Sequence, residues 1–454
     1  MLYRFLKVIV NWSVRGYFRR INVIGRERLE LPGVIYVSNH PGAMMDPVIV
    51  AMLAKKPLHF IAGAEWFGSG FKDWLFKKQF NMIPVYRPWL VKDGEKVSNA
   101  DMFKACYESL SHGERIIIYP EASSKTVPWV RPLKTGAARI KLGADQFIGK
   151  GSDVKIIPIG INYVNPHRFY TRVTVVVGEP IAFPHFDAQL SEKELALAMT
   201  DVIKAKMEEC VLHLENEEHY PIICQLFKLM TESVKNDIKL ASNDIEAEFK
   251  AKKEIINAVN YYKSAGDEDL LVLEQKIDDY IRVYEGLGFR QFNPFDKSIW
   301  YAVKLMILII LFFPIFILGA VLNGLPYFFA RYFFRKFLLD KVSSEDKDGS
   351  LNHAFTGSLA YLTGFAMFLV WYAFVSVAAA QLYTWWIAAP LAIFIAYQSG
   401  KLVMFYWRWL SRLYNLMKWQ LLSHDVKSGL MIQRRNVMDS LNALKMRYIE
   451  LLAS

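Results

Sequence analysis

Along residues 21–190, short apolar runs rich in β-branched side chains alternate with longer stretches whose apolar residues recur at helical spacing. The short runs predict strands at about 21–24, 34–37, 58–62, 82–85, 116–119, 155–159 and 172–177. The stretches between them predict helices at about 47–54, 68–78, 98–112, 133–148 and 187–215. That alternation predicts an α/β domain with a mixed sheet, in which ligands bind beyond the carboxyl ends of strands.

The flanks follow other patterns. Residues 1–24 mix Leu2, Phe5, Leu6, Ile9, Trp12 and Phe18 with Arg4, Lys7, Arg15, Arg19 and Arg20, and no acid interrupts them. This predicts an amphipathic helix lying in the headgroup layer; an ordinary helix packed on the domain behind it is the alternative. Residues 191–295 are dense in Glu, Lys and Asp with apolar residues at helical spacing. They predict a charged helical spacer, with a hairpin over 226–285; dimerisation or a lid is the alternative role. Residues 301–400 predict transmembrane helices at about 305–334, 357–380 and 383–400, because no charged residue occurs anywhere in 354–400. Lys297, Lys304, Arg331, Arg335, Lys336, Lys341, Lys401, Arg408 and Arg412 flank these segments, and the positive-inside tendency puts them on the cytosolic side. On that reading 305–334 dips into the bilayer and turns back at 323–326; three full crossings are the alternative. Residues 401–454 predict basic amphipathic helices riding the interface.

Composition narrows the class. Of 454 residues 53% are hydrophobic and 15% aromatic, with a formal net charge of +11. A basic chain this apolar points to an anionic membrane surface or an anionic substrate, and not to nucleic acid. The three scattered cysteines, Cys106, Cys210 and Cys224, imply no disulfide framework and no zinc site. There is no G-x-S-x-G elbow, Walker loop or G-x-G-x-x-G, which removes the commonest nucleophile and nucleotide chemistries.

Three predicted strands end on residues with chemical potential. The run 34–37 breaks into Asn39-His40-Pro41-Gly42, and Asp46-Pro47 then reads as an N-cap with proline at the first helical position. An imidazole and a carboxylate in one short loop can deprotonate a hydroxyl. Beyond 82–85 comes Arg87, whose guanidinium grips phosphate bidentately. Beyond 116–119 comes Glu121, placed to accept hydrogen bonds from substrate hydroxyls. A helix opening at Pro132 would carry Lys134 and Arg139 near its N-terminus, an anion site.

These residues resemble, in order, the four blocks of the glycerolipid acyltransferase family: Asn39-His40 with Asp46; Ile83-Pro84-Val85-Tyr86-Arg87; Tyr119-Pro120-Glu121 with the run from Pro132 to Arg139; and Ile157-Pro158-Ile159-Gly160-Ile161-Asn162-Tyr163. The family includes glycerol-3-phosphate and 1-acylglycerol-3-phosphate acyltransferases. The resemblance implies that His40 is the general base, that Asp46 orients it, and that Arg87, Glu121, Ser123 and Lys134 bind the phosphorylated acceptor. Five residues separate His40 from Asp46 where four are usual, a spacing similar to that of fungal-type glycerol-3-phosphate and dihydroxyacetone-phosphate acyltransferases. Ala122 stands where the family has glycine, and that block's arginine is missing, with Lys125, Arg131 or Lys134 as replacements.

The expected protein is therefore a mixed-sheet α/β acyltransferase domain with an N-terminal interfacial helix, a helical spacer and a C-terminal α-helical transmembrane region. The resemblance implies transfer of a fatty acyl group from acyl-CoA or acyl carrier protein, as co-substrate, to glycerol 3-phosphate or lysophosphatidate, with no metal and no other cofactor. The domain would lie on the cytosolic face of a bacterial inner membrane or endoplasmic reticulum. A thioester or lipid hydrolase and a non-catalytic membrane scaffold are the alternatives.

Overall fold

The computed structural model describes residues 2–64, 67–68, 70, 73–86, 98–214, 216–237, 245–289, 298–338, 344–345, 351–352, 354–383 and 387–453. The chain divides into two units: one of residues 1–217, 241–249 and 334–362, the other of 218–240, 250–333 and 363–454.

Among the described residues, the main sheet of the first unit has seven strands: β1 (Arg20–Ile24), β2 (Val34–Ser38), β3 (His59–Gly63), β4 (Met82–Val85), β5 (Arg115–Ile118), β6 (Lys155–Tyr163) and β7 (Arg172–Val177). Their order across the sheet is β1-β7-β6-β2-β5-β3-β4. Every neighbouring pair is parallel except β6 and β7, so the sheet is mixed, as the alternating pattern predicts. β2 is central: Tyr36 pairs with Ile117 on one side and Ile157 on the other. All five of its residues are buried, which is why it reads as an unbroken apolar run.

The helices of this unit are α1 (Leu2–Tyr17), α2 (Met45–Leu53), α3 (Ala100–Ser111), α4 (Gly136–Ile148) and α5 (Glu192–Cys210). Ile35, Val37 and Ile156 of the sheet pack with Cys106, Ala138, Ile140, Ile203 and Met207 from α3, α4 and α5. α5 starts where a capping box starts it: the Ser191 hydroxyl accepts from the Glu194 amide, and the Glu194 carboxylate accepts from the Ser191 amide. α1 ends at Tyr17, short of the 24 residues expected of the leading helix. It buries Val14 and Tyr17 while Val8 and Trp12 stay exposed, and the Lys7 ammonium donates to the Ala54 carbonyl at 2.5 Å. One face is thus packed on the domain.

In the second unit, α6 (Tyr220–Asp237) is followed by α7 (Ile245–Ser264) and α8 (Glu268–Gly286). α7, most of which lies in this unit, and α8 form a hairpin closed by a Lys263–Glu274 ion pair at 2.7 Å. Among the described residues three helices are long and apolar enough to cross a membrane: α9 (Ile299–Phe333), α10 (Ala354–Tyr383) and α11 (Ala388–Leu421). The turn expected at 323–326 does not form, and α9 runs straight through Pro314 and Pro326. A proline inside a helix strips the carbonyl four residues earlier of its partner. Here Trp371 Nε1 donates to that carbonyl, Leu322 O, at 2.7 Å, and Asn323 donates to Gly319 O and Ala396 O. Phe316 stacks on Tyr406, and Gly319 abuts Ser399 and Val403, so α9 and α11 run antiparallel. In α12 (His424–Ala453) Leu430, Val437 and Leu441 are buried, and the helix packs on α8 through a Lys276–Ser440 hydrogen bond.

Candidate active site

His40 leaves the carboxyl end of β2 beside the end of β6, with Asn39 locked between them. The Asn39 amide donates to Ile161 O at 3.1 Å and its oxygen accepts from Ile161 N at 2.8 Å. The expected N-cap is corrected here. α2 begins at Met45 with no side-chain cap, and the Asp46 carboxylate turns back into the loop. Its Oδ2 lies 2.8 Å from His40 Nδ1 and accepts the Gly42 amide at 2.9 Å; its Oδ1 accepts the Tyr163 hydroxyl at 2.7 Å. The Asp46 side chain is fully buried, whereas that of His40 keeps 18% exposure. The imidazole therefore has one nitrogen tied to a buried anion and the other facing outward.

Two phenols frame the pair. The Tyr119 ring stacks on His40 at 4.1 Å between centroids. Burial, reinforced by the Asp46 carboxylate, pushes both Tyr119 and Tyr163 well above the usual phenol range. Both stay protonated, so Tyr163 remains a donor to Asp46. The loop leaves no room at Gly42: a Cβ there would stand 2.7 Å from Asp46 Oδ1 and 2.8 Å from the Tyr163 oxygen.

Glu121 is buried beneath this loop and its oxygens are taken by the protein. They accept the His40 amide at 3.3 Å, the Arg131 amide at 3.2 Å, and Arg131 Nε and Nη2 at 3.2 and 2.9 Å. Burial raises the Glu121 pKa, against the lowering effect of Arg131. Arg131 also donates to Ser123 Oγ at 2.8 Å and to the Ser123 carbonyl. Of the three cations offered for the missing arginine, Arg131 is the one paired with Glu121. Ala122 adopts φ 63°, the left-handed conformation that glycine would take without strain.

Helix α4 opens at Gly136 rather than Pro132, so Lys134 lies outside it, exposed, with its backbone amide on Pro120 O at 2.8 Å. Arg139, the fourth residue of α4, stacks on Phe103, 5.0 Å above the ring. Arg87 falls outside the described residues. Ser358 and Thr126 carry no signal in the linear pattern, and Tyr163 enters it only as the last residue of the fourth block; each joins the His40 loop by a bond that spans distant sequence. Among the described residues, no cluster of three His, Cys, Asp or Glu side chains could hold a metal ion.

A sequence-family profile described as Acyltransferase matches residues 20–162, the stretch that carries β1 to β6 and the whole His40–Asp46–Glu121 constellation. Over this stretch the chain is similar to the acyltransferase family. Glycerol-3-phosphate O-acyltransferase 1 of Saccharomyces cerevisiae is 38% identical over 95 residues, 20% of this chain and 12% of that protein. Glycerol-3-phosphate O-acyltransferase 2 of the same yeast is 22% identical over 201 residues, 44% of this chain and 26% of that protein. An uncharacterized acyltransferase of Schizosaccharomyces pombe is 28% identical over 116 residues, 24% and 17% of the two chains. The chain thus spans about a quarter or less of the length of these relatives. The 1-acyl-sn-glycerophosphate (LPA) acyltransferase PlsC of Thermotoga maritima superposes at a TM-score of 0.30 with 20% identity, covering 45% of this chain and 79% of that one, a likeness too slight to bear on the fold.

Proposed function

We propose that this chain is a membrane-bound O-acyltransferase that moves a fatty acyl group from an acyl thioester, acyl-CoA or acyl carrier protein, to a hydroxyl of glycerol 3-phosphate or lysophosphatidate. The observation that carries the reading is the His40 Nδ1–Asp46 Oδ2 contact at 2.8 Å with Asp46 wholly buried. A buried carboxylate on Nδ1 fixes the proton there and leaves Nε2 as the base. His40 Nε2 takes the acceptor's hydroxyl proton as that oxygen attacks the thioester carbonyl. The tetrahedral intermediate then expels the thiolate, which recovers the proton from the imidazolium. A general base of this kind contributes about 10²–10⁴-fold.

The amides of Gly42, Met45 and Asp46 already have acceptors, so those of Ala43 and Met44, at the N-terminal end of α2, are the oxyanion donors in this reading. Glu121, with its oxygens committed to His40 N and Arg131, holds the loop rather than the acceptor hydroxyls. The phosphate falls to Lys134, the Ser123 hydroxyl and Arg87. The names of the two yeast relatives favour glycerol 3-phosphate as acceptor. An acylated product partitions into lipid, which gives the three apolar helices a purpose. The acyltransferase domain faces the cytosol, where the thioester donor is made.

Purified protein in detergent, given labelled acyl-CoA and a panel of acceptors, tests this by lipid chromatography. Acylated glycerol 3-phosphate or phosphatidate is the expected product. Thiol release at full rate with no acceptor present would replace the proposal with a hydrolase.

A further inference from the structure

The first two turns of α10, the start of an apolar helix, sit against the unit that holds the sheet. The hydroxyls of Ser13 and Tyr361 are 2.5 Å apart, and Tyr17 donates to Gly357 O at 3.4 Å. The rings of Tyr17 and Tyr361 meet edge-on at 5.3 Å. A Cβ at Gly357 would collide with Pro166 O, so the helix backbone touches the 164–170 loop directly. All of these residues belong to the same compact unit as the sheet.

Held in this seat, Ser358 reaches the His40 loop. It is 2% exposed. Its hydroxyl donates to Gly42 O at 2.6 Å and accepts the Met45 amide at 3.1 Å. Gly42 and Met45 are also joined to each other, Met45 N to Gly42 O at 3.0 Å. One hydroxyl therefore bridges both sides of the turn that connects His40 to Asp46. That turn contains Ala43 at φ 48°, a conformation disfavoured for a residue with a Cβ, which persists only where the surroundings enforce it. Glu121 on the His40 amide, Thr126 on Pro41 O and Tyr163 on Asp46 grip its ends. Ser358 grips its middle.

We propose that Ser358 is a positioning residue for the reaction: the helix that leaves the acyltransferase domain for the bilayer completes the site by fixing the five-residue turn, so that Asp46 meets His40 Nδ1. This rests on the reading of His40 as general base. The linear sequence hides the relationship, because Ser358 lies 316 positions from Gly42.

The test uses the full-length protein in lipid nanodiscs, with the S358A and Y361F variants beside wild type. Y361F removes a hydroxyl that holds the same helix turn but does not touch the loop. Two readouts are taken: hydrogen–deuterium exchange of peptides covering residues 40–50, and kcat and KM for the acceptor. S358A is expected to exchange faster at Gly42–Met45 and to lose about tenfold or more in kcat with KM within about twofold, because positioning is lost and binding is not. Y361F is expected to match wild type in kcat. Wild-type exchange or wild-type kcat in S358A would overturn the proposal, as would a rise in KM alone or an equal loss in Y361F. A wild-type protein that transfers no acyl group would defeat the functional reading instead, and the exchange arm would still report whether Ser358 holds the turn.

Discussion

Tyr163 and Asp46 are 2.7 Å apart, with the phenol donating to the carboxylate oxygen that His40 does not use. The strand β6 thereby holds the orienting carboxylate while β2 delivers the base. Removing the donor in Y163F leaves a buried carboxylate one hydrogen bond short. A hydrogen bond to a charged group is worth about 1.5–3 kcal/mol, so initial rates at saturating substrate are expected to fall roughly 10–100-fold. Wild-type rates in Y163F would remove β6 from the account.

Ala122 is a built-in test of backbone strain. At φ 63° a Cβ costs about 1–2 kcal/mol, and glycine returns part of that as unfolded-chain entropy. A122G is expected to raise the unfolding midpoint in detergent, by about 0.5–1 kcal/mol of stability, with the Glu121–Arg131 pair intact. A lower midpoint would show that the alanine methyl packs to advantage.

Most of the sheet was legible because its signal is local. Most of the strands are short apolar runs bounded by turn residues, and in the buried β2 the hydroxyl residue Ser38 comes only at the end of the run. His40 and Asp46 were legible for the same reason, since both lie in one short loop. The partner of Glu121 was not. Arg131, Lys125 and Lys134 are alike as charges in sequence, and only the fold of the 119–135 loop brings Arg131 onto the carboxylate. Pro326 misled in the opposite direction. Asn-Gly-Leu-Pro has turn chemistry, but Trp371 supplies a donor that no window around 323–326 contains.

That last contact makes a third prediction. W371F leaves the Leu322 carbonyl without its donor, at a cost of about 1–2 kcal/mol. P326A restores a backbone N–H in the helix, so the same W371F change is expected to cost less in the P326A background. Equal costs in both backgrounds, read from unfolding midpoints, would mean that the indole bond does not compensate the proline.

His59 carries a pH signature. Burial lowers its pKa from 6.5, and Glu114, at 2.9 Å, only partly opposes this. A histidine with a lowered folded pKa binds fewer protons folded than unfolded. Its contribution is present above the unfolded value near 6.5 and is lost as pH falls through the folded value. Between pH 7 and 5 the wild type is expected to lose more thermal stability than H59Q. Parallel curves would place the acid sensitivity elsewhere.

The most direct measurement is the rate of acyl transfer to glycerol 3-phosphate by H40A and wild type, purified side by side and shown to have the same unfolding midpoint. With Asp46 and the loop bonds still in place, the account predicts a loss of about 10²–10⁴-fold in kcat and little change in KM for the acceptor. Transfer by H40A at the wild-type rate would contradict it, because no other imidazole shares that loop.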